Sequence, residues 1–322
     1  MSDNLNVVQV GTGKMSIEYT KVLNELVENF EVIGRGEKSA NEFERETSKR
    51  PIVGGIKKYL ENSTKKPTHA IVAVSVEELA RVTMELLKNG VKNILVEKPA
   101  GLNLRELLEL EIESKKQEAN MFVGYNRRFY SSVDKARSII EEDNGVSSFH
   151  FEFTEWSHII KDLNKPKTVK EQWFFANSTH VVDLAFFLGG FPVNLSPLNS
   201  GEGNLDWHPI ASTFVGSGST NKGALFSYHS NWESAGRWGI EIMTKKRRLI
   251  FRPMEQLHVQ NIGSNQVEKV DIDDSLDMDF KPGLYNQVKA FLYGDQKEKL
   301  LSISSHKKIT EEVYSKMIFI QS

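Results

Sequence analysis

The sequence predicts an α/β protein: an amino-terminal, doubly wound parallel sheet, followed by an α+β domain whose strands pair mostly antiparallel. Three observations predict this. Apolar strand-like runs alternate with segments of helical periodicity up to residue 125. A glycine turn, Gly11-Thr12-Gly13, joins the first strand to the first helix. Beyond residue 148, strand-like runs follow one another without helices between them, which favours antiparallel pairing. The 322 residues accommodate two ordinary domains, which divide on this reading into 1–124 and 125–322.

Val7 to Val10 form the first apolar strand. After the glycine turn, Ile17, Tyr19, Val22, Leu23, Leu26 and Val27 recur at helical spacing. Strand, glycine turn and helix in this order are the context a dinucleotide-binding fingerprint requires. Gly11 permits the tight turn. Gly13 lets the backbone approach a pyrophosphate at the helix amino end, where free N–H groups and the helix dipole favour anions. Ser16 stands where a third glycine is usual, and its small side chain still allows close helix–strand packing. Residues 30–33 read as the second strand and 51–56 as a short third segment. A buried strand at 70–74 precedes a helix over 76–88, and the strand at 93–96 precedes a long helix over 104–119. Residues 121–125 close the alternation.

The tip of the second strand reports cofactor choice. An acid there would bind the ribose 2′-hydroxyl of NAD. Here Ile33 is followed by Gly34-Arg35-Gly36-Glu37-Lys38-Ser39, so Arg35 occupies the tip. A planar guanidinium suits a 2′-phosphate. The expectation is NADP(H) preferred, with NAD(H) as second choice; an exposed loop arginine beside a glutamate is the plainer alternative.

At the end of the fifth strand stands Glu97-Lys98-Pro99, directly after Ile94-Leu95-Val96. Open α/β sheets build their sites at the carboxyl ends of their strands. A lysine at the rim of the core can be partly desolvated, which suits it to proton transfer. Pro99 fixes its own φ and keeps Lys98 out of the helical region.

Composition removes several function classes. Apolar residues make up 39% and charged residues 26% of the chain, so a sizeable core is affordable. The formal net charge of -2 gives no electrostatic footprint for nucleic acid or an anionic membrane. Lys245-Lys246-Arg247-Arg248 is the one dense basic cluster, and its place between two apolar runs reads as a solvated hairpin tip. The chain has no cysteine, which excludes disulfides, thiolate metal sites and thiol nucleophiles. Eight scattered histidines include no His-Glu-x-x-His pair, so no metal is expected. No Gly-x-Ser-x-Gly elbow is present. Residues 1–6 lack a signal-peptide pattern and no apolar run reaches membrane-spanning length, giving the expectation of a cytoplasmic protein.

Gly11-Thr12-Gly13 near the start, Glu97-Lys98-Pro99 after the fifth strand and Tyr125-Asn126-Arg127-Arg128-Phe129 after the sixth coincide in one chain. Together they resemble the glucose–fructose oxidoreductase/inositol dehydrogenase/rhizopine-catabolism (Gfo/Idh/MocA) family. The resemblance covers essentially the whole chain. It implies a Rossmann domain, a carboxyl-terminal domain with a large, mostly antiparallel open sheet, and NAD(P)-dependent chemistry at a sugar or polyol carbon. It also implies a histidine followed three residues later by an aspartate on a helix; His180-Val181-Val182-Asp183 matches, within an apolar helix ending at Gly189-Gly190. On this resemblance His180 faces the substrate and Asp183 is structural. One departure stands out. Many family dehydrogenases carry an aspartate four residues before that histidine, and here the position is Ala176. Asn177 or Ser178 could hydrogen-bond a substrate hydroxyl, but neither can act as a carboxylate base. Proton transfer would rest on Lys98 and His180.

In the second half, Ser148-Phe149-His150-Phe151-Glu152-Phe153 alternates strictly, as a half-buried strand does. Further strands are read at 224–228, 238–243, 248–251 and 257–259, with helices at 283–293 and 309–320. Trp156, His158, Trp173, His229, Trp232 and Arg237 fall at strand or loop ends and offer the aromatic faces and donors that suit a sugar ring. Core packing is the plainer reading of each one singly.

The expected function is hydride transfer between a nicotinamide and a sugar, nucleotide-sugar or cyclic polyol carbon. Lys98 and His180 are the catalytic pair. Gly11, Thr12, Gly13, Lys14, Met15, Arg35, Ser39, Val74, Ser75, Glu97 and Lys98 are expected to hold the cofactor. Tyr125, Asn126, Arg128, Trp173, Asn177 and His180 are expected to hold the substrate. The resemblance implies a homodimer or homotetramer through the carboxyl-terminal sheet. Two rivals remain: a cofactor-binding sensor without turnover, and a redox-neutral epimerase or lyase with tightly held NAD(P).

Overall fold

The computed structural model describes residues 5–318. The amino-terminal half alternates strand and helix. It runs β1 (Val7–Val10), α1 (Lys14–Leu26), β2 (Phe30–Gly34), α2 (Glu37–Thr47), β3 (Ile52–Val53), α3 (Gly55–Asn62) and β4 (His69–Val72). Then come α4 (Leu79–Lys88), β5 (Asn93–Glu97), α5 (Leu104–Lys116) and β6 (Asn120–Gly124). The middle adds α6 (Ser131–Glu142), β7 (Ser148–Glu152), α7 (Ser157–Ile160), α8 (Lys167–Glu171) and α9 (Thr179–Gly189). Seven strands follow: β8 (Pro192–Ser200), β9 (Thr213–Thr220), β10 (Leu225–Asn231), β11 (Gly239–Met243), β12 (Arg247–Phe251), β13 (His258–Asn261) and β14 (Glu268–Lys269). The chain ends with α10 (Ser275–Asp279), α11 (Leu284–Tyr293), β15 (Leu301–Ser302), α12 (Ile303–Ile309) and α13 (Ser315–Ile318).

These elements form two compact units. One runs through residue 126 and takes back residues 276–308; the other holds 127–275 and the segment from 309. The first sheet has the order β15-β6-β5-β4-β1-β2-β3. Apart from β15 it is parallel, and 3-2-1-4-5-6 is the order of a doubly wound dinucleotide-binding sheet. Its strands are buried on both faces, as helices on both sides demand: Val8, Val72 and Val96 on one face and Val7, Ile71 and Leu95 on the other are all inaccessible or nearly so.

A single division at residue 124 does not describe the chain. Residues 276–308 return because α11 packs on α1 and β15 adds an antiparallel edge to β6, with Leu301 opposite Val123. The Tyr293 hydroxyl donates to the Leu26 carbonyl and fixes that return. A two-residue strand has no periodicity of its own, so nothing local announces it.

The second sheet has the order β14-β13-β12-β11-β7-β10-β9-β8. Every pairing is antiparallel except β7 with β10. Phe149, Phe151 and Phe153 all point inward; Phe149 stacks on Phe226 and Phe151 on Tyr228, each pair at 5.4 Å. The helix α9 lies on β7 and β11 and is buried nearly all round, so its sequence is apolar on every face. Lys245 and Lys246 form the β11–β12 tip. Arg247 starts β12 and clamps Asp143 at 2.9 and 2.7 Å, which holds that carboxyl below the usual carboxylate range. The basic cluster thus ties a hairpin to the end of α6.

The helix expected at 309–320 is continuous through Ile318, with a π-helical turn at Thr310–Tyr314; residues 319 and 320, like 1–4 of the polar amino terminus, lie outside the described residues. No described helix is long and apolar enough to cross a membrane.

Candidate functional site

In the first unit the site begins at Gly11. Its φ is 127°, and a Cβ there would lie 2.2 Å from the Ala73 carbonyl oxygen, so only glycine fits. The Ser16 hydroxyl donates to the same carbonyl at 2.9 Å and is fully buried. The small residue in the third-glycine position therefore clamps α1 to the end of β4. This brings the Gly11–Met15 turn beside Val74 and Ser75 at the carboxyl ends of β1 and β4, the strands that flank the point where strand order reverses. No side chain caps α1, and a Cβ on Gly13 would meet nothing within 4 Å. Open space and free helix N–H groups together fit a pyrophosphate.

Arg35 directly follows β2, is exposed, and makes no ion pair among the described residues. The nearby acid Glu37 is held by Arg50 at 2.5 Å, which leaves the strand tip basic. Lys38 is exposed, while the Ser39 hydroxyl donates to the Gly36 carbonyl at 3.1 Å in the first turn of α2.

Two strands from β1, Glu97 ends β5 and Lys98 follows it. Tyr19 donates to Glu97 Oε1 at 2.7 Å. Burial pushes the Glu97 carboxyl up, while the Tyr19 hydroxyl and the ammonium groups of Lys98 and Lys281 pull it back. The Tyr19 hydroxyl is itself raised by burial and by the Glu97 charge, so its proton stays on the phenol. The Lys98 backbone is fixed by its neighbours. The Lys98–Pro99 bond is cis, Ala100 N–H donates to the Glu97 carbonyl at 3.0 Å, and His306 Nε2 donates to the Pro99 carbonyl at 2.9 Å. Tyr125 is buried against the His306 ring at 5.5 Å, and Asn126 donates to the Pro282 carbonyl at 2.8 Å.

In the second unit a π-helical turn, Phe174–Ser178, leads into α9. Such turns mark functional sites with unusual frequency. His180 follows, buried, with its ring 6.2 Å from Trp238. Asp183, one turn on, receives Arg128 Nε at 2.8 Å and Nη2 at 2.6 Å, and both residues are buried. The Arg128 fork engages α9 through Asp183 and so positions that helix. Trp173 packs edge-on to Trp207 at 6.2 Å.

The residue that sequence reasoning missed is Glu155. It is 2% exposed, accepts from Asn177 Nδ2 at 3.0 Å and from the Ser178 hydroxyl at 2.7 Å, and faces Arg237 at 3.6 Å. Burial pushes its carboxyl above the ordinary range, against the pull of those three partners. The two donors directly follow Ala176, so a carboxylate from the segment after β7 reaches the start of α9. No periodic signal marks it: β7 ends at Glu152, and Phe153, Thr154 and Glu155 are all buried in succession.

Glu155 also lines a pocket of 980 Å³ together with Trp156, His158, Trp207 and Trp232. Arg237 stacks on Trp156 at 4.5 Å. His229 does not join them: β10 alternates, and His229 is on its exposed face.

Residues 5–125 match the oxidoreductase family with an NAD-binding Rossmann fold, Gfo/Idh/MocA. No curated protein matches the chain. Solved structures match across both units. UDP-N-acetylglucosamine 3-dehydrogenase GnnA from Acidithiobacillus ferrooxidans is 13% identical, with a TM-score of 0.74, covering 98% of this chain and 97% of its own. Levoglucosan dehydrogenase, in complex with NADH and L-sorbose, is 17% identical, with a TM-score of 0.74, covering 98% and 96%. An Agrobacterium radiobacter oxidoreductase, in complex with NAD+, L-tartaric acid and magnesium, is 11% identical, with a TM-score of 0.73, covering 97% and 95%. Residues 5–125 are thus similar to an NAD-binding Rossmann fold, and the likeness to the solved structures shows a shared fold across the rest of the chain.

Proposed function

We propose that this chain is an NAD(P)-dependent oxidoreductase that moves a hydride to or from a carbon of a sugar, nucleotide-sugar or cyclic polyol, with NADP(H) preferred. The observation that carries it is one sheet edge holding both a pyrophosphate cradle at β1 and β4 and Lys98 at the end of β5. When bound, the nicotinamide supplies or takes up the hydride. The Gly11–Met15 turn and the α1 N–H groups hold the pyrophosphate, and Arg35 takes the 2′-phosphate. Lys98 gives or accepts the substrate hydroxyl proton. His180 orients that hydroxyl or shares the proton. Glu155, held by Asn177 and Ser178, supplies the carboxylate that residue 176 lacks. The sugar and nucleotide-sugar dehydrogenases among the similar structures support the substrate class. The reading places the protein in the cytoplasm. It also makes it a homodimer or homotetramer through the outer face of the second sheet, where Val193, Leu198 and Leu225 are exposed; light scattering after gel filtration checks the latter.

The test of the cofactor reading is fluorescence titration with NADPH and NADH in parallel. Tighter NADPH binding is expected, and binding of neither would end the oxidoreductase proposal. Arg35→Ala should weaken NADPH by about 10- to 100-fold, the worth of a charge-assisted contact, and NADH by far less. Equal losses would remove the NADP preference.

Glu155→Gln separates role from stability. A carboxyl raised in the folded state contributes stability that is present at low pH and is lost as pH rises through the folded value. The melting temperature of the Gln variant relative to the parent should therefore rise between pH 4 and pH 8, on the order of the usual carboxylate-to-neutral span, while turnover falls. A pH-independent difference would contradict the raised carboxyl.

A further inference from the structure

We propose that the pocket of the second unit binds a sugar esterified to phosphate or diphosphate, with the anionic group held by Lys161, Lys165, Lys167 and Lys170. This deepens the proposed function and rests on it. The pocket's size is the first ground. At 980 Å³ it lies at the upper end of small-molecule sites, which span about 300–1,000 Å³, and one pyranose would leave much of it vacant.

Charge is the second ground. All four lysines come from residues 161–170, whereas the carboxylates that line the pocket, Glu155, Asp206 and Glu233, come from other segments. Glu233 is already engaged by Asn204 at 3.0 Å and by the Ser212 hydroxyl. Lys161 and Lys165 make no ion pair among the described residues. Lys167 pairs loosely with Glu171 at 3.6 Å, and the Lys170 ammonium donates to the Lys161 carbonyl at 2.6 Å, which folds the lysine segment back on itself. Several ammonium groups on one short segment suit an oxyanion with several acceptor oxygens. The carboxylates suit the hydroxyls at the other end of the ligand.

The third ground is Trp156. It is 44% exposed, yet its indole N–H donates to the Gly236 carbonyl at 3.1 Å and Arg237 stacks on its ring. An exposed aromatic face held this rigidly is a platform for a sugar or base ring.

Calorimetric titration of the full chain, saturated with NADPH so that the cofactor cradle is filled, tests the assignment with three probes: N-acetylglucosamine, its 1-phosphate and UDP-N-acetylglucosamine. The expected result is that one or both phosphorylated probes bind at least about tenfold tighter than the free sugar. They should lose about tenfold or more in Lys161→Glu/Lys165→Glu, whose NADPH affinity and circular dichroism stay at parental values. Tight binding of the 1-phosphate identifies a sugar phosphate as the ligand class; binding of the UDP form alone identifies a nucleotide-sugar. Equal affinity for all three probes, no binding of either phosphorylated form, or indifference to the double substitution overturns the proposal. A protein that binds the UDP form without binding either nicotinamide cofactor keeps the pocket assignment and loses the oxidoreductase reading.

Discussion

Lys98→Ala is expected to lower turnover by about 10²- to 10⁴-fold, the usual worth of a positioned proton-transfer group, while NAD(P)H affinity stays within a few fold. The lysine follows directly on β5, and its backbone is held on both sides by the Ala100–Glu97 and His306–Pro99 hydrogen bonds. Those bonds use main-chain atoms at positions 97, 99 and 100, so truncating the side chain leaves the turn intact. The cradle at Gly11–Met15 lies two strands away and is built from contacts to Ala73 and Ile33 that Lys98 does not share. A loss confined to kcat is therefore the signature of proton transfer; a loss confined to cofactor affinity would make Lys98 an electrostatic anchor for the nucleotide instead. Removing the lysine also removes one of the two ammonium groups that pull the Glu97 carboxyl back, so that carboxyl should move further up. Unchanged turnover would end the catalytic assignment.

Legibility in the sequence followed how local each signal is. The parallel sheet could be read because fully buried strands are continuous apolar runs, and Val7–Val10 and Asn93–Glu97 stand out from their polar surroundings. The edge strand β8 could not be read: Pro192 and Pro197 interrupt it, and both are tolerated only because it is the last strand of its sheet. Its neighbour β9 is a glycine- and serine-rich run whose place is set by pairing with β8 and β10 rather than by its own pattern. α2 and α6 also escaped, α2 because its charged sequence buries only Ala40 and Phe43.

The candidate site divides in the same way. The glycine turn, Arg35 and Lys98 sit at strand ends, where position in sequence fixes position on the sheet. Arg128 and Glu155 do not. Arg128 meets Asp183 across 55 residues, and Glu155 meets Ser178 across 23. Such pairs are products of tertiary packing, and no spacing rule encodes them. Ala176 illustrates the consequence: the carboxylate held by the two residues that follow it comes from Glu155, in the segment after β7, and nothing near Ala176 in the sequence announces it.

The second large effect belongs to the Arg128–Asp183 pair and is one of stability. Asp183→Ala should cost about 3–5 kcal/mol, because it leaves a buried guanidinium without its carboxylate. The Arg128→Met/Asp183→Leu double variant should recover most of that loss, since apolar side chains can fill the space without burying a charge. Phe187, whose ring lies 4.7 Å from the guanidinium, offers them an apolar neighbour. The measurement can be made specific to the second unit: the chain has five tryptophans, Trp156, Trp173, Trp207, Trp232 and Trp238, and all lie within residues 127–275. Urea unfolding followed by tryptophan emission therefore reports on the unit that holds the pair. His180 stands three residues before Asp183 on the same side of α9, so the ion pair also fixes the rotation of the helix that presents the histidine. The double variant should thus regain its unfolding midpoint more completely than its turnover. Equal recovery of both would show that the pair only stabilises the unit, and a midpoint as low as that of Asp183→Ala would show that the charges themselves, rather than the space they fill, hold α9 in place.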